Sequence, residues 1–440
     1  MAARTLAAPL PVILLILSFL VPSELSLYLA GLRLPPHRVA VILLLPFAFY
    51  RLAAQRGMRL HAYDGLFLLY GWWTIFAYWL HSGMEGAVFG GSVALESFGT
   101  YVVARAYVRT RDAMLSSVKV MLAAVAVAAA FALPETLLGQ IFTHDFLQRL
   151  LGLPSTTIVE HRLHLTRAYS TFDHPIHYGS FCASMLALAW YANSRAWTRA
   201  QRIALISGAT MLSLSSAPML SAALQAALIV WEMATRGISG RTSITVALVL
   251  GLFFGVSLVA TRSPFTIVAT GFTLDPWTGY YRLQIWLHGF DSVLNNLWTG
   301  IGLAEWDRPE WMFSSTVDAY WLVTTMRTGL PSLVLQVLAI ALLVRGVVKA
   351  QRRLWDRECR RIATGWLISL IALILIGVTV HYWNVVHAYM FFFLGLGGWL
   401  ADPKRNAQGL RTRHNRTQPP QPAHEPVPVY TYPGSGTVPA

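Results

Sequence analysis

Residues 345–380 read RGVVKAQRRLWDRECRRIATGWLISLIALILIGVTV, a strongly basic segment followed directly by an apolar one. The apolar part, residues 362–380, contains no charged side chain, and a helix of about 20 such residues crosses the hydrocarbon core of a bilayer. Because lipid offers the backbone no hydrogen-bond partners, a segment of this kind is expected to be helical. The stretch therefore predicts a membrane-spanning helix that begins on a basic side of the membrane.

The same pattern recurs along the whole chain. Of its 440 residues, 55% are hydrophobic and only 12% are charged, about half the charged fraction of a soluble domain. The apolar residues come in blocks separated by short basic segments, so we predict an all-α, polytopic transmembrane helix bundle of about twelve spans. The predicted spans are 8–23, 37–54, 64–81, 87–104, 113–133, 176–193, 203–216, 218–234, 243–261, 329–348, 362–380 and 384–401.

The first span has an alternative interpretation, because residues 1–32 also resemble a secretory signal peptide with Arg4 before an apolar run. We favour a retained span, since the alternation of basic loops depends on it. With the N-terminus inside, 24 of the 34 Lys and Arg residues fall on the cytoplasmic side and nine on the outer side, as the positive-inside rule requires. The pattern predicts a multi-pass protein of the bacterial inner membrane with both termini in the cytoplasm.

The formal net charge of +14 is mostly this topology signal. A nucleic-acid site needs a concentrated basic face, whereas here the charge is spread over many loops, so we expect no nucleic-acid partner. Residues 1–401 are predicted to form the membrane domain. Residues 402–440 are rich in Pro, Gln, Thr and Arg and are predicted to form a disordered cytoplasmic tail.

Two segments on the predicted periplasmic side are long, residues 134–175 and 262–328. Long loops on one face of a bundle are where function is usually carried, so we place the candidate site there. In the second loop, apolar residues recur at helical spacing from Gly279 to Asn295, which predicts an amphipathic helix with one apolar face. We expect it at the outer membrane–water boundary; a helix that simply caps the bundle is a compatible alternative.

The first loop ends in residues 167–175, RAYSTFDHP, directly before a span. The guanidinium of Arg167 could hold a phosphate through two hydrogen bonds, and an arginine reaching for lipid headgroups explains it equally well. The plain interpretation of Asp173 is a cap for the helix that Pro175 begins. His174 and His177 could be taken as a metal pair, but their spacing alone is weak evidence.

The second loop contains GYYR at residues 279–282 and DAYWL at residues 318–322. Arg282 lies at the start of the predicted helix, where a helix N-terminus already favours an anion. The plain interpretation of Asp318 is a helix cap. Five aromatic side chains of the two loops are candidates to stack on sugar rings, although Tyr and Trp are also the usual residues of the interfacial belt. These are Tyr169, Tyr281, Trp286, Tyr320 and Trp321.

Three strings carry a resemblance to a known family: Arg167 through Ser170-Thr171-Phe172 to Pro175, Arg282 followed by Trp286 and Gly300-Ile301-Gly302, and Asp318 through Leu322 to Gly329. In these strings the chain resembles the O-antigen ligase and O-antigen polymerase superfamily of bacterial membrane glycosyltransferases, over roughly residues 30–400. In the ligases the third string begins His-Asn. Here Leu322 and Gly329 keep the spacing, but Asp318 stands where the ligases have His, and polymerase members often carry Asp there.

The resemblance implies transfer of a polyprenyl-diphosphate-linked glycan to an acceptor sugar at the periplasmic face, without a metal or other cofactor. Polymerisation of O-antigen or exopolysaccharide is the expected reaction, and ligation to a lipid A core is the alternative. Arg167 and Arg282 would hold the charge on the leaving diphosphate, and Asp318 would be the general base. His174, Tyr281, Tyr320 and Trp321 would contact substrate. The expected partners are the lipid-linked donor, the glycan acceptor and membrane lipid, with a chain-length regulator and a flippase as further candidates.

A transporter or lipid-glycan flippase is the alternative from another functional class. Such proteins place ionisable groups at mid-membrane and often contain repeated halves. Glu96 is the clearest acid within a predicted span, but the sequence shows no internal repeat. His381, Tyr382 and His387 cluster at a predicted outer turn, which is more typical of an interface than of a proton path. A structural scaffold is a third option, and it would leave the two long loops without a purpose.

Overall fold

The computed structural model describes residues 8–29, 32–54, 59–153, 157–193, 195–238, 276–312, 314–353 and 357–402. Within these ranges the chain is mostly helical, with two short antiparallel hairpins. The elements up to residue 151 are α1 (Leu10–Ser18), a 3₁₀ turn (Ser23–Leu25), β1 (Leu27–Leu29), β2 (Leu32–Leu34), α2 (Pro36–Ala54), α3 (Ala62–Ala94), a π-helical turn (Leu95–Gly99), α4 (Thr100–Tyr107), α5 (Arg111–Leu138) and α6 (Phe142–Leu151).

The second half continues with a small hairpin and a further series of helices. Its elements are β3 (His161–Arg162), β4 (Leu165–Thr166), α7 (Pro175–Ala183), α8 (Leu186–Tyr191), α9 (Ala196–Leu212), α10 (Ser216–Ala234), α11 (Pro276–Asn295), α12 (Tyr320–Arg353), α13 (Arg357–Ile376) and α14 (Asn384–Leu400). The ninth predicted span, residues 243–261, lies outside the described residues, and so do residues 262–275 of the second loop and residues 403–440 of the tail.

Six helical segments among the described residues are long and apolar enough to cross a membrane. They are Pro36–Ala54, Ala62–Tyr107, Arg111–Leu138, Ser216–Ala234, Tyr320–Arg352 and Arg357–Ile376. A shorter apolar helix, α14, is buried along nearly its whole length and packs against α4, α12 and α13 at the centre of the bundle. The fold is therefore that of an all-α, membrane-embedded protein.

The segment Ala62–Tyr107 is a hairpin of two helical arms. Its chain reverses at Ser82 and Gly83, both of which have non-helical backbone angles, and Gly83 has a φ of 55°. Beyond the turn the arms lie so close that a Cβ on Gly90 would stand 3.0 Å from the Cα of Ile75. The predicted spans 64–81 and 87–104 are these two arms.

Two of the predicted spans are wrong in form. The first, residues 8–23, is only the nine-residue helix α1, shorter than a bilayer crossing requires. The sixth, residues 176–193, is divided into α7 and α8 by a break at Ser184–Met185. Apolar composition indicated that both segments avoid water, but it could not show where their helices end.

The loops that the basic residues assign to opposite sides gather at two ends of the bundle. At one end, Glu24 contacts His144 at 2.5 Å and the Asn384 amide donates to Asp173 at 2.8 Å. At the other end, Arg361 donates to the Asn193 carbonyl at 2.6 Å. The predicted periplasmic segments thus meet one another in space, and the predicted cytoplasmic segments do the same.

Helix α11 confirms the helix predicted from Gly279 to Asn295, but its apolar residues occupy two faces instead of one. Ile285 and Val293 are buried in a cluster with residues of the 306–326 segment. Leu287, Phe290 and Leu294 follow one another at helical spacing and are 52–57% exposed. The helix therefore packs on the protein along one face and leaves an apolar stripe open along the other.

Candidate active site

Arg282 and Asp318 come together because α11, which carries Arg282, and the start of α12, which directly follows Asp318, are both tied to the turn between α13 and α14. The backbone N–H of Tyr320 donates to the carbonyls of Gly377 at 2.8 Å and Val380 at 3.1 Å. The indole N–H of Trp286 donates to the Val378 carbonyl at 2.9 Å. The first residues of α12 and the N-terminal half of α11 are thereby fixed on the same short turn.

The glycines of the second loop have a direct structural use. The N–H groups of Ile301 and Gly302 donate to the carbonyls of Met326 and Arg327 at 2.8 and 3.0 Å. Gly329 has a φ of 79°, and a Cβ there would stand 2.0 Å from the Trp298 carbonyl oxygen. Because only glycine accepts such an approach at that φ, the Gly300–Gly302 turn and Gly329 lock together and interrupt α12.

Four of the seven sequence-predicted site residues line one cavity of about 190 Å³, which we call the arginine cavity. The four are Arg167, His174, Arg282 and Asp318, with Glu160, Arg162, His381 and Trp383 among the other lining residues. Residues of the two long loops therefore converge in space, although Arg167 and Asp318 lie far apart in the sequence.

The segment around Arg167 is held by a buried acid. Glu135 of α5 accepts from the backbone N–H groups of Tyr169 and Ser170 at 2.9 and 2.7 Å. Asp173 is not the cap of α7, as its sequence position suggested, because the ring of His174 takes that role and accepts from the Ile176 N–H at 3.1 Å. Asp173 instead joins this segment to Asn384 and to the hydroxyl of Ser23.

The guanidinium of Arg167 is already engaged by the protein. It is 2% exposed, pairs with Glu160, and donates to the Ser215 hydroxyl at 2.8 Å and to the Ser213 carbonyl at 3.4 Å. These contacts fasten the segment after β4 to the turn between α9 and α10. Arg167 contributes positive charge to the cavity while its hydrogen-bond donors hold the wall together.

Arg282 is different, because its Nε is buried and has no hydrogen-bond partner among the described residues. Burial lowers the pKa of Arg282, Asp318 opposes that change, and Arg167 adds to it. Burial raises the pKa of the Asp318 carboxyl above its ordinary value, and the charge of Arg282 only partly offsets this. The two groups share the cavity without a direct salt bridge, so both remain open to a substrate.

Two histidines of the cavity are held in the neutral form. Burial, together with the neighbouring His177 and Arg167, lowers the pKa of His174 to about 3. Since its Nδ1 accepts from Ile176, its Nε2 carries the proton and is a donor. Burial, together with His177 and His387, also lowers the pKa of His381 to about 3. Neither ring adds positive charge to the cavity at neutral pH.

Two further cavities lie next to the arginine cavity and share lining residues with it. A middle cavity of about 620 Å³ is lined by residues 315–318 and Arg327, and a tyrosine cavity of about 370 Å³ is lined by Tyr70, Tyr78, Tyr320 and Tyr382 with several threonines. His381 and Trp383 line all three cavities. The three cavities therefore adjoin one another at these two residues.

The remaining three predicted site residues do not line the arginine cavity. Tyr320 lines the tyrosine cavity. Tyr281 donates from its hydroxyl to the Ser314 carbonyl at 3.3 Å, and Trp321 donates to the Ile374 carbonyl at 2.9 Å. Both side chains lie outside the three cavities and help to pack the loop and α12.

Sequence reasoning missed His381 and Trp383 as site residues. Their signal was present, because HYWN at residues 381–384 directly precedes a span, just as DHP does at residues 173–175. Loop length was the property used to find functional loops, and this turn is short, so the signal did not mark it as part of a site.

An apolar groove of about 310 Å³ reaches Arg282 from the side of the bundle. Its walls come from α10, α11 and α13, and include Leu220, Leu283 and Leu375. Leu220 and Leu375 are 40% and 49% exposed, so the groove opens onto the apolar surface of the helices. Arg282 therefore stands where an apolar groove meets a polar cavity.

No group of three or more His, Cys, Asp or Glu side chains in the described part of the chain is arranged to hold a metal ion. No protein-family model matches the sequence, and a search of curated proteins finds no significant match.

Proposed function

We propose that this protein transfers a polyprenyl-diphosphate-linked glycan to an acceptor sugar at the periplasmic face of the bacterial inner membrane. The observation that carries the proposal is the position of Arg282. Its guanidinium has an unpartnered nitrogen and lines both the apolar groove and the arginine cavity. A lipid tail in the groove would place its diphosphate at Arg282 and its first sugar beside Asp318.

The leaving group explains why the cavity is rich in arginine. When the bond from the anomeric carbon to the phosphate oxygen breaks, the electron pair leaves with the diphosphate. A preorganised cation at that oxygen stabilises the charge as it develops. Arg282 would donate directly, while Arg162 and Arg167 line the same cavity and add to its positive potential.

Asp318 is the proposed general base. The acceptor hydroxyl attacks the anomeric carbon, a new carbon–oxygen bond forms, and the hydroxyl proton passes to the Asp318 carboxylate. A carboxylate whose pKa is raised by burial takes a proton more readily than an ordinary one, provided that it is still ionised at the working pH.

Polymerisation is the form of this reaction that we favour, with ligation to a lipid A core as the alternative, because Asp318 stands at the position where the resembling ligases have His. The flippase alternative depended on Glu96. That carboxylate is paired with His37 at 2.8 Å and Arg38 at 2.6 Å, an arrangement that suits a fixed structural charge better than a moving proton.

The substitution Asp318→Asn tests the proposal. It keeps the shape of the side chain and removes the charge that accepts the proton, so polymer synthesis should fall by roughly a hundredfold or more. Lipid-linked glycan should then accumulate on the outer leaflet. The measurement is leaflet-resolved lipid-linked glycan together with polymer length, in cells that carry only the variant.

Asp291→Asn is the matched control, since Asp291 is exposed on α11 and lies outside the three cavities. It should leave both measurements unchanged. Wild-type polymer from Asp318→Asn would remove Asp318 from the mechanism. Accumulation on the inner leaflet would show that the protein moves the glycan across the membrane, and would overturn the transferase proposal.

A further inference from the structure

The tyrosine cavity has the chemical lining of a sugar site. Four tyrosines, Tyr70, Tyr78, Tyr320 and Tyr382, surround it together with hydroxyl-bearing threonines. Aromatic faces suit the C–H faces of a sugar ring, and hydroxyl and amide groups suit its polar edge. Its volume of about 370 Å³ falls in the range of small-molecule sites, about 300–1,000 Å³.

One buried polar atom in this lining lacks a partner. His387 is 5% exposed, lines the cavity, and has an Nε2 without any hydrogen bond among the described residues. With its proton on Nδ1, the ring leaves Nε2 as an acceptor. A buried acceptor without a partner is costly, and a ligand hydroxyl would satisfy it.

The charged groups of the cavity, by contrast, are already satisfied. Arg38 donates to Glu96 at 2.6 Å and to the Arg33 carbonyl at 3.1 Å. Arg327 donates to the carbonyls of Gly302 and Ala304. A site for a diphosphate would present unpaired arginine donors, as the arginine cavity does at Arg282. The tyrosine cavity instead offers hydroxyls, rings and one free acceptor, which suit an uncharged sugar.

The tyrosine cavity also adjoins, through the middle cavity, the place where transfer would occur. It shares Arg327, His381 and Trp383 with the middle cavity, and the middle cavity shares Asp318 with the arginine cavity. A sugar in the tyrosine cavity therefore lies on the side of Asp318 away from the apolar groove. The base would stand between the donor arm and this second arm.

We propose that the tyrosine cavity is the acceptor subsite, which binds an uncharged sugar unit of the acceptor glycan and accepts one of its hydroxyls at His387. This inference rests on the proposed transferase function. It divides the cleft into a donor arm at Arg282 and an acceptor arm at His387, with His381 and Trp383 at the junction.

The test separates donor binding from acceptor use. His387→Leu removes the acceptor atom, His387→Gln keeps a side-chain oxygen that can accept, and Thr324→Phe fills the cavity. Val334→Phe makes a similar increase in size on an exposed position of the same helix and is the control. Donor binding is followed by photocross-linking with a benzophenone-bearing farnesyl diphosphate, and acceptor use by polymer yield in cells.

Polymer yield should fall about tenfold in His387→Leu, the loss of one hydrogen bond, and at least as much in Thr324→Phe. Cross-linking should stay at the wild-type level in both, while Arg282→Ala should lose it. His387→Gln should keep most of the polymer.

Normal polymer from His387→Leu and Thr324→Phe would overturn the acceptor assignment, as would equal behaviour of His387→Leu and His387→Gln. Loss of cross-linking together with polymer in both variants, with Val334→Phe normal, would show that the cavity serves the donor and would overturn it too. Failure of the transferase function looks different, because the Asp318→Asn variant would then make wild-type polymer or strand lipid-linked glycan on the inner leaflet, however the His387 and Thr324 variants behave.

Discussion

The substitution Arg282→Ala removes a guanidinium that the folded protein does not use for its own hydrogen bonds at Nε. The stability of the protein should therefore change little. The lost interaction is the one with the developing diphosphate charge, which for a single preorganised donor is worth about 3 kcal/mol, or roughly a hundredfold in rate. Arg282→Lys should recover little of this, because an ammonium lacks the planar fork that binds a phosphate with two hydrogen bonds.

Arg167→Ala should behave differently, although both arginines line the same cavity. Its removal breaks the contacts with Glu160, Ser213 and Ser215 that hold the cavity wall together, and a hydrogen bond to a charged group is worth about 1.5–3 kcal/mol. This variant should lose thermal stability and cellular abundance along with activity.

The assay compares both variants in membranes from cells without the native copy. It measures polymer synthesis per molecule of protein, and the thermal unfolding of the purified protein in detergent. Near-normal synthesis by Arg282→Ala would reduce that residue to a lipid anchor. Equal loss of stability in the two variants would refute the distinction drawn from their hydrogen bonds.

Three further outcomes are expected. Reporters active only outside the cytoplasm should work when fused near residues 150 and 290 and fail near 200 and 355; a signal near 355 would contradict the orientation. Gly329→Ala should lower the free energy of unfolding by more than about 1 kcal/mol, since alanine is strained at a positive φ and its Cβ would meet Trp298. An unchanged unfolding temperature would contradict this. Burial opposes the charged form of His144, but Glu24 outweighs it and raises the pKa of His144. The stabilisation of the folded protein by the charged His144–Glu24 pair is fully present below the unfolded pKa of His and is lost as pH rises through the raised pKa of His144. The stability difference between wild type and His144→Gln should therefore shrink with rising pH, and a constant difference would contradict the pairing.

The membrane class could be predicted from the sequence because it depends on a long, repeated signal, whereas the convergence of the two long loops is a finding of the structure. Each apolar block and each basic loop adds its own support for the membrane class, so a single misjudged boundary, such as that of α1, does not change the class. The break between α7 and α8 was not predictable in this way, because it depends on which neighbours receive the freed backbone groups. The backbone N–H of Leu188 donates to the hydroxyl oxygen of Ser369 at 3.1 Å, and this partner is distant in sequence.

The candidate site shows the same limit at the level of single residues. Arg167 and Arg282 looked alike in sequence, since each is an arginine near a helix on a long loop. The difference is that the guanidinium of Arg167 donates hydrogen bonds to Glu160, Ser213 and Ser215. Two of these partners lie in the turn between α9 and α10, which the predicted spans 203–216 and 218–234 indicate without showing what its side chains bind. Side-chain engagement of this kind depends on tertiary contacts, so composition and spacing cannot reveal it.

The turn between α13 and α14 explains how a site made from two long loops can be held in place. Such loops are usually the more mobile parts of a protein, whereas positions that carry chemistry need to be fixed closely. Here the loops are anchored through Trp286 and Tyr320 to a turn whose following helix, α14, is buried along nearly its whole length. The same turn supplies His381 and Trp383 to all three cavities. A change that loosened this turn would therefore disturb the donor and acceptor arms together, whereas changes at Arg282 or His387 should affect one arm at a time.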